Sequence, residues 1–300
     1  MEDIDVTRVA GCDYYIGTPS QTPWGRVFGG QTLAMALKAA AATLTPTVRG
    51  VPLIHSLQAY FVVGGNPRKQ ILFAVDRARD GGSFQTRSVK ALQSNQAILL
   101  LQASFHSIER GLRYQTDFSS VLKLLDPVRF PSGISDLPKP EKLLQVPGAF
   151  SEYGSAECLA IAEGNDWRLV YTRLGEGKCV LNEGEGDEAR AENVHTQCSC
   201  LVFLSDYGMV QIARQPHRCD AATFDGAPFS MSISLDHAVH FHCPEMIDVR
   251  EWMVFHYFTN VSAGARGIAQ LHIFSAKTGA LLATVNQEAL MRVPRDDARL

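Results

Sequence analysis

Apolar residues concentrate in two long runs, and each run predicts a buried helix. Within residues 33–44 only one lysine and one threonine interrupt ten apolar positions. A helix that is apolar nearly all round must be buried on most sides. Gly29 and Gly30 precede this run, and two glycines suit a tight turn into a helix N-terminus. Residues 197–210 form the second run, so the pattern predicts one buried helix in each half of the chain.

Shorter runs rich in Val, Ile, Leu and Phe accompany each predicted helix and are typical of β-strands. Turns that contain Gly, Asn or Asp separate them. The predicted strands are 56–63, 71–78, 84–93, 97–106, 167–174, 229–241, 253–259, 266–274 and 280–291. Strands in series with few intervening helices predict an antiparallel sheet. The sequence thus predicts an α+β fold made of two copies of one unit, each a helix wrapped by its sheet.

The middle of the chain predicts a linker between the two units. Five of the 14 prolines fall between residues 126 and 147, and this spacing excludes a long helix or a central strand. Four acids and two glycines at 183–188 predict a solvated loop before the second helix. We therefore expect an N-terminal domain at 1–125, a linker at 126–150 and a C-terminal domain at 151–300.

Composition and charge exclude several classes of protein. Apolar residues make up 46% of the 300 residues and charged residues 20%, which is typical of a packed chain and excludes wholesale disorder. A net charge of −3 gives no broad attraction to nucleic acid or to an anionic membrane. No apolar stretch reaches the roughly 18 residues that span a bilayer, and the acidic N-terminus differs from a secretory signal. We expect a protein kept inside the cell, whose seven scattered cysteines are free thiols.

Six short motifs follow one another across most of the chain. They are Arg26-Val-Phe-Gly-Gly-Gln31, Arg79-Asp-Gly-Gly-Ser-Phe84, Ser205-Asp206, Ser234-Leu-Asp-His237 with Phe241-His242, Ala265-Arg-Gly267 and Gln287-Glu288. In this order they resemble the motifs of the acyl-CoA thioesterase II family, the double-hotdog thioesterases of bacteria and peroxisomes. Each motif alone is weak evidence, so the resemblance rests on the whole series, from about residue 13 to residue 293.

The resemblance implies a fold, an activity and a catalytic set. The fold is two tandem hotdog domains, each a long buried helix wrapped by a curved antiparallel sheet. The activity is hydrolysis of an acyl-CoA thioester to a free acid and coenzyme A, without a metal or another cofactor, since coenzyme A is part of the substrate. The family's catalytic Asp, Thr or Ser, and Gln fall by motif position on Asp206, Ser234 and Gln287. His240 stands where the family commonly has Trp, which would alter the pocket wall or the acyl preference.

The chemistry of these side chains agrees with such roles. Asp206 lies in an apolar segment, and burial raises the pKa of a carboxyl and makes it a better base for water. Ser234 offers a hydroxyl and Gln287 an amide, and together they can hold one water against the acid. The same residues also have an ordinary structural interpretation. In that interpretation Asp206 is an exposed cap near the end of a helix, and Ser234 and Gln287 are polar residues on a solvated sheet face.

The glycine turn before the first helix is a candidate oxyanion site. Free N–H groups at Gly29 and Gly30 can stabilise the charge that develops on a thioester carbonyl oxygen under attack. A turn that merely needs glycine is the alternative. If Gln31 and Gln197 open corresponding helices, the counterpart of Asp206 is Ala40. We therefore predict one composite site, in which one half supplies N–H groups and the other half supplies the acid.

Other polar residues give weaker signals. The residues His237, His240 and His242 form a cluster, but no matched third metal ligand accompanies them, so we predict packing or pocket lining and no metal site. We assign His237 to the predicted oxyanion and substrate site. Basic residues on or next to the predicted strands are candidates for the phosphates of coenzyme A, although a solvated sheet face is the ordinary explanation. These are Arg77, Arg79, Arg87, Lys90 and Arg266.

Two other functions remain open. A hotdog enzyme of another acyl-thioester reaction, such as a biosynthetic hydratase or dehydratase, would use His237 or His240 as an acid or base. A binding protein that has lost catalysis would hold acyl-CoA without turnover.

The end of the chain and the family give two expectations about partners. Ala298-Arg299-Leu300 is similar to the Ser-Lys-Leu peroxisomal address, so we expect a peroxisomal import receptor as partner and the peroxisome as location, with the cytoplasm as the alternative. The resemblance also implies assembly beyond one chain, and we expect a homo-oligomer.

Overall fold

The computed structural model describes residues 4–22, 24–143, 156–175, 178–217 and 229–293. Thirteen strands and four α-helices follow one another within these ranges. They are β1 Val6–Arg8, β2 Tyr14–Gly17, α1 Gly29–Ala41, β3 Leu53–Phe61, β4 Ile71–Asp80, β5 Phe84–Gln93, β6 Gln96–His106, α2 Phe118–Leu125, β7 Ala156–Glu163, β8 Trp167–Leu174, α3 Asp187–Ser205, α4 Met209–Arg214, β9 Met231–Ser234, β10 Asp236–Phe241, β11 Met253–Ala263, β12 Arg266–Ser275 and β13 Leu281–Arg292.

All of these strands join one antiparallel sheet that consists of two halves. The first half runs β1-β2-β4-β5-β6-β3 and the second β10-β13-β12-β11-β8-β7, with β9 also paired to β13. The halves meet where β3 pairs with β10, and there Ala238 lies opposite Gln58. Helix α1 packs on β5 and β6, and α1 and α3 pack against each other in one shared hydrophobic core. The predicted α+β fold with two tandem hotdog domains is confirmed.

The second helix differs from the prediction at both ends. α3 begins at Asp187, ten residues before the predicted start, because its first turns are mostly charged or polar and bury only Ala189, Ala191 and His195, so they show no apolar run. The acidic residues of its first turn suit the positive end of a helix dipole. The helix ends at Ser205, since Gly208 adopts a φ of +77° and opens the separate helix α4. Asp206 therefore caps α3 and is not part of a continuous helix.

Most strands follow the prediction, and the exceptions are short or interrupted. β5 and β8 have the predicted bounds, and the predicted strand 229–241 is split into β9 and β10 at Leu235. The sequence pattern does not predict β1 and β2, whose three and four residues are too few to show a period. It also missed β7, which contains three alanines and therefore shows little of the large-residue pattern.

The described part of the predicted linker, residues 126–143, lies with the preceding helix α2 on the outer face of the second half of the sheet. Phe118 of α2 stacks on Phe274 of β12 with ring centroids 4.0 Å apart, and Phe130 is buried in the same hydrophobic cluster. Short 3-10 turns at Gly133–Asp136 and Pro140–Lys142 replace a long helix, as the prolines predict. The domain bounds at residues 125 and 150 stay a prediction, although α2 packs on the C-terminal half of the sheet.

The described residues bear on three expectations from the sequence, which concern membrane-spanning helices, metal sites and the state of the cysteines. Among the described residues, no helix combines the length and the apolar character needed to cross a membrane. Nor does any group of three or more His, Cys, Asp or Glu side chains in those ranges have the arrangement of a metal site. The described cysteines are free thiols. The tripeptide Ala298-Arg299-Leu300 and Cys219 lie outside the described residues.

Candidate active site

Asp206 lies where the C-terminus of α3 meets the N-terminus of α1. Its Oδ2 accepts a hydrogen bond from the backbone N–H of Gly30 at 2.7 Å. A carboxylate at the end of α3 faces the negative end of that helix dipole, but the positive end of α1 offsets this cost. The acid and the N–H group belong to different halves of the chain, as predicted for a composite site.

The close approach of the two helix ends explains the two glycines. A Cβ on Gly29 would lie 2.7 Å from Asp206 Oδ2 and 2.9 Å from the ring of Phe61. A Cβ on Gly30 would lie 2.6 Å from the carbonyl oxygen of Phe203. Both positions thus need glycine for space, because backbone and ring atoms leave no room for a side chain.

A chain of hydrogen bonds connects three further polar residues beside Asp206. His237 of β10 and Gln287 of β13 both point to the helix side of the sheet, where they are fully buried. His237 Nδ1 lies 2.6 Å from Gln287 Oε1, and Gln287 Nε2 donates to Ser234 Oγ at 2.8 Å. His237 Nδ1 also lies 3.9 Å from Asp206 Oδ1. The structure thus brings together Asp206, Ser234, Gln287 and His237, the side chains predicted for the site.

Burial controls the electrostatics of Asp206. Desolvation raises the pKa of its carboxyl above the usual 3.8, while the charge of His237 and the bond from Gly30 act in the opposite direction. Its Oδ1 has no hydrogen-bond partner in the described part of the chain, although it is buried. One oxygen of the carboxylate is therefore held in place by the backbone, and the other keeps its lone pairs available.

The sheet register shows why the corresponding position in the other half is not a second site. A two-fold axis between Ala238 and Gln58 relates His237 to Leu57 on β3. Because Asn286 pairs with Ala238, and Gln102 pairs with Gln58, the same axis relates Gln287 to Ala103. Leu57 and Ala103 are buried apolar residues, as is Ala40, the predicted counterpart of Asp206. The polar set occurs once among the described residues.

Aromatic side chains surround the glycine turn, and sequence analysis missed them. The ring of Phe28 lies 4.3 Å from that of Tyr207 and 5.2 Å from that of Phe203, measured between centroids. Phe61 covers Gly29 from the side of the sheet. Together they separate the carboxylate from bulk water. Scattered aromatic residues have no period in the sequence, so only the fold shows that they meet.

The structure refines the predicted roles of Gly30 and His237. The N–H of Gly30 already donates to Asp206, so it is not free to receive a carbonyl oxygen, whereas the N–H of Gly29 makes no hydrogen bond within the described ranges. His237 is fully buried, and its Nε2 faces Ser205 Oγ at 3.0 Å. It therefore lies behind the site, away from any surface that a substrate would touch. Ser205 was noted only as part of a motif.

Two other groups of candidates lie elsewhere in the fold. His240 and His242 are exposed on the opposite face of the sheet, so His240 does not form a wall next to Asp206. Arg87 is fully buried and donates to Thr43 and to backbone carbonyls, which makes it a structural residue and not a phosphate ligand. Arg77 and Arg266 form ion pairs with Asp13 and Glu288, respectively.

Comparisons with known proteins identify relatives of both halves of the chain. A sequence profile described as "Acyl-CoA thioesterase N-terminal domain" matches residues 18–106, and one described as "Acyl-CoA thioesterase" matches residues 187–290. Acyl-coenzyme A thioesterase 8 of Rattus norvegicus is 27% identical, with 97% of this chain and 87% of the rat protein aligned.

A second relative and one solved structure complete the comparison. Peroxisomal acyl-coenzyme A thioester hydrolase 1 of Saccharomyces cerevisiae is 23% identical over 87% of this chain and 84% of the yeast protein. The crystal structure of the acyl-CoA thioesterase II TesB2 from Mycobacterium marinum superimposes with a TM-score of 0.74 at 23% identity, and 98% of each chain is covered.

Proposed function

Because the chain belongs to the acyl-CoA thioesterase II family, we propose that it hydrolyses acyl-CoA thioesters to free acids and coenzyme A. One observation carries the proposal. A buried carboxylate at the end of α3 is held by a backbone N–H of the other half, next to an amide and a hydroxyl that are bonded to each other. This is the arrangement that general-base hydrolysis by a positioned water requires.

Asp206 acts as the general base in this proposal. Its free Oδ1 takes a proton from water, and the water oxygen bonds to the carbonyl carbon of the thioester. The raised pKa makes the carboxylate a stronger base than an exposed Asp, and Gly30 helps to keep it ionised. When the C–S bond breaks, coenzyme A leaves as a thiolate and takes up the proton that Asp206 holds.

The remaining groups orient the water and stabilise charge. Ser234 accepts a hydrogen bond from Gln287, so its own O–H remains available to donate to the water. The N–H of Gly29, at the positive end of α1, is the donor best placed for the carbonyl oxygen as it becomes an oxyanion. No step in this sequence uses a metal ion or a cofactor besides the coenzyme A of the substrate.

The contacts of the histidines argue against a dehydratase or hydratase. Such an enzyme would need His237 or His240 to exchange a proton with the substrate. His237 is fully buried with both ring nitrogens facing protein atoms, and His240 is exposed on the far face of the sheet. A non-catalytic acyl-CoA-binding protein remains the second alternative, and an assay of turnover decides between them.

The decisive experiment is a thiol-release assay with acyl-CoAs of short, medium, long and branched chains. We expect turnover by the wild type and a loss of at least about 1,000-fold in kcat for Asp206→Asn, with binding of a non-hydrolysable acyl-CoA analogue retained. Asp236→Asn is the matched control, because Asp236 also accepts a backbone N–H at 2.7 Å, from Glu288. Hydrolysis by Asp206→Asn at the rate of Asp236→Asn would refute the mechanism, and binding without turnover by the wild type would favour the non-catalytic alternative.

Location and assembly are further parts of the proposal. We propose that Ala298-Arg299-Leu300 directs the chain to peroxisomes, and the name of the yeast relative, a peroxisomal hydrolase, supports this location. A fluorescent fusion that exposes this tripeptide should be imported, and one without it should stay in the cytoplasm. The homo-oligomer that the family implies is tested by light scattering of the purified protein.

A further inference from the structure

We propose that His237 is a positioning residue that fixes the orientation of the Gln287 amide, an inference that rests on the proposed hydrolysis. The histidine does not touch the substrate. It determines which end of the amide faces Ser234, and thereby which hydrogen-bonding group of Ser234 remains available for water.

The hydrogen bonds of the amide carry the first step of this inference. Gln287 Nε2 donates to Ser234 Oγ at 2.8 Å, so Gln287 Oε1 is the atom that faces His237 Nδ1 at 2.6 Å. An amide oxygen only accepts hydrogen bonds, so Nδ1 must carry a proton and donate it. His237 protonated at Nδ1 and this one orientation of the amide therefore require each other.

The contacts of the ring carry the second step. His237 Nε2 lies 3.0 Å from the hydroxyl of Ser205, the residue directly before Asp206 at the end of α3. The ring is fully buried, and it therefore has little freedom to turn. His237 thus ties the strand that carries Gln287 to the helix end that carries the acid.

Reversal of the amide would reverse the polarity at Ser234. In the observed orientation Ser234 accepts from the amide, and its O–H is free to donate to water. With the amide turned by 180°, Ser234 would donate to Gln287 Oε1, and only its lone pairs would face the water. The attacking water would then lose the hydrogen-bond donor that orients it. Without this donor, the lone pair of the water oxygen would no longer be directed at the carbonyl carbon.

Two substitutions separate the two ring nitrogens. In His237→Asn the side-chain amide nitrogen can take the place of Nδ1 and donate to Gln287, whereas in His237→Gln it takes the place of Nε2 and reaches only Ser205. We expect kcat to fall less than tenfold in His237→Asn and at least 100-fold in both His237→Gln and His237→Ala, with KM changed less than threefold. Thermal unfolding of each variant shows whether it is folded at the assay temperature.

A double-mutant cycle with Gln287→Ala gives a measurement that a purely structural role would not change. If His237 acts through the amide, His237→Gln costs less than threefold in kcat once Gln287 is Ala. A cost of 100-fold in both backgrounds, or an Asn variant as impaired as the Gln variant, would overturn the proposal. These outcomes are distinct from a failure of the proposed function, which would appear as hydrolysis by Asp206→Asn or as no turnover by the wild type.

Discussion

The N–H of Gly30 donates to the carboxylate of Asp206 at 2.7 Å, although 176 positions separate the two residues in the chain. This bond joins the start of the first buried helix to the end of the second. Neither half alone contains the site, because one half provides the N–H groups and the other the acid, the hydroxyl and the amide. The contact between the ends of α1 and α3 therefore assembles the proposed site as well as the fold.

The space at this contact predicts a strong effect of adding one methyl group. In Gly29→Ala the new Cβ would lie 2.7 Å from Asp206 Oδ2 and would push the carboxylate away from Gly30. We expect kcat to fall at least about 100-fold, since misplacement by about 1 Å has an effect of that size.

A matched glycine makes this test specific. Gly111→Ala adds the same methyl group at an exposed position with nothing within 4 Å, and it should retain the wild-type rate. Activity of Gly29→Ala within threefold of this control would contradict the geometry of the contact.

Asp206 should reduce the stability of the fold at neutral pH. Its pKa is raised above 3.8 in the folded chain, mainly by desolvation, so the folded state favours the protonated acid. The resulting loss in the free energy of unfolding is therefore absent below pH 3.8 and complete once the pH exceeds the pKa of Asp206 in the folded chain. Its size is about 1.4 kcal/mol for each unit by which folding raises the pKa. We expect Asp206→Asn to unfold at a higher temperature than the wild type at neutral pH, and the difference to vanish in acid. An equal or lower unfolding temperature for the variant across this range would show that Asp206 is not penalised by burial.

The sequence predicted the fold more completely than the contacts within the site. Apolar residues in series predicted α1 and most strands, because burial of such residues dictates which face of an element lies inside. The start of α3 was missed, since most residues of its first turns are charged or polar and form no apolar run. Asp206, Ser234 and Gln287 came from their motifs, and the structure links Asp206 to the other two through His237.

Two features of the site depended on contacts that no sequence pattern records. The glycine turn predicts N–H groups of Gly29 and Gly30 for the oxyanion without a choice between them, but the approach of α3 directs the N–H of Gly30 to Asp206. His237 is predicted to pack or to line the pocket, and the alternation of β10 places it on the buried side with Val239 and Phe241. Both depend on how distant elements pack, and the order of residues along the chain does not determine that on its own.

The pH dependence of hydrolysis should report the same carboxyl. A general base must be ionised, so kcat/KM should fall with decreasing pH through the pKa of Asp206, and the midpoint of this acid limb should lie above 3.8. The measurement is thiol release with a reagent that reacts in acid, together with a fluorescence check that the protein stays folded at each pH. A midpoint at or below 3.8 in the folded protein would exclude Asp206 as the base.

A buried arginine in the first half should contribute much more stability than an exposed one nearby. Arg87 of β5 is fully buried, where it forms an ion pair with Asp80 at 2.5 Å and donates to the hydroxyl and the carbonyl of Thr43, near the end of α1. Arg87→Met would leave these acceptors without a partner, so we expect a loss of about 2–4 kcal/mol in the free energy of unfolding. Arg77→Met is the matched control, since Arg77 pairs with Asp13 at 2.7 Å in a partly exposed position, and such pairs contribute less than about 1 kcal/mol. Chemical denaturation of both variants measures the two losses in the free energy of unfolding. Equal losses would show that burial of Arg87 does not increase its contribution to stability.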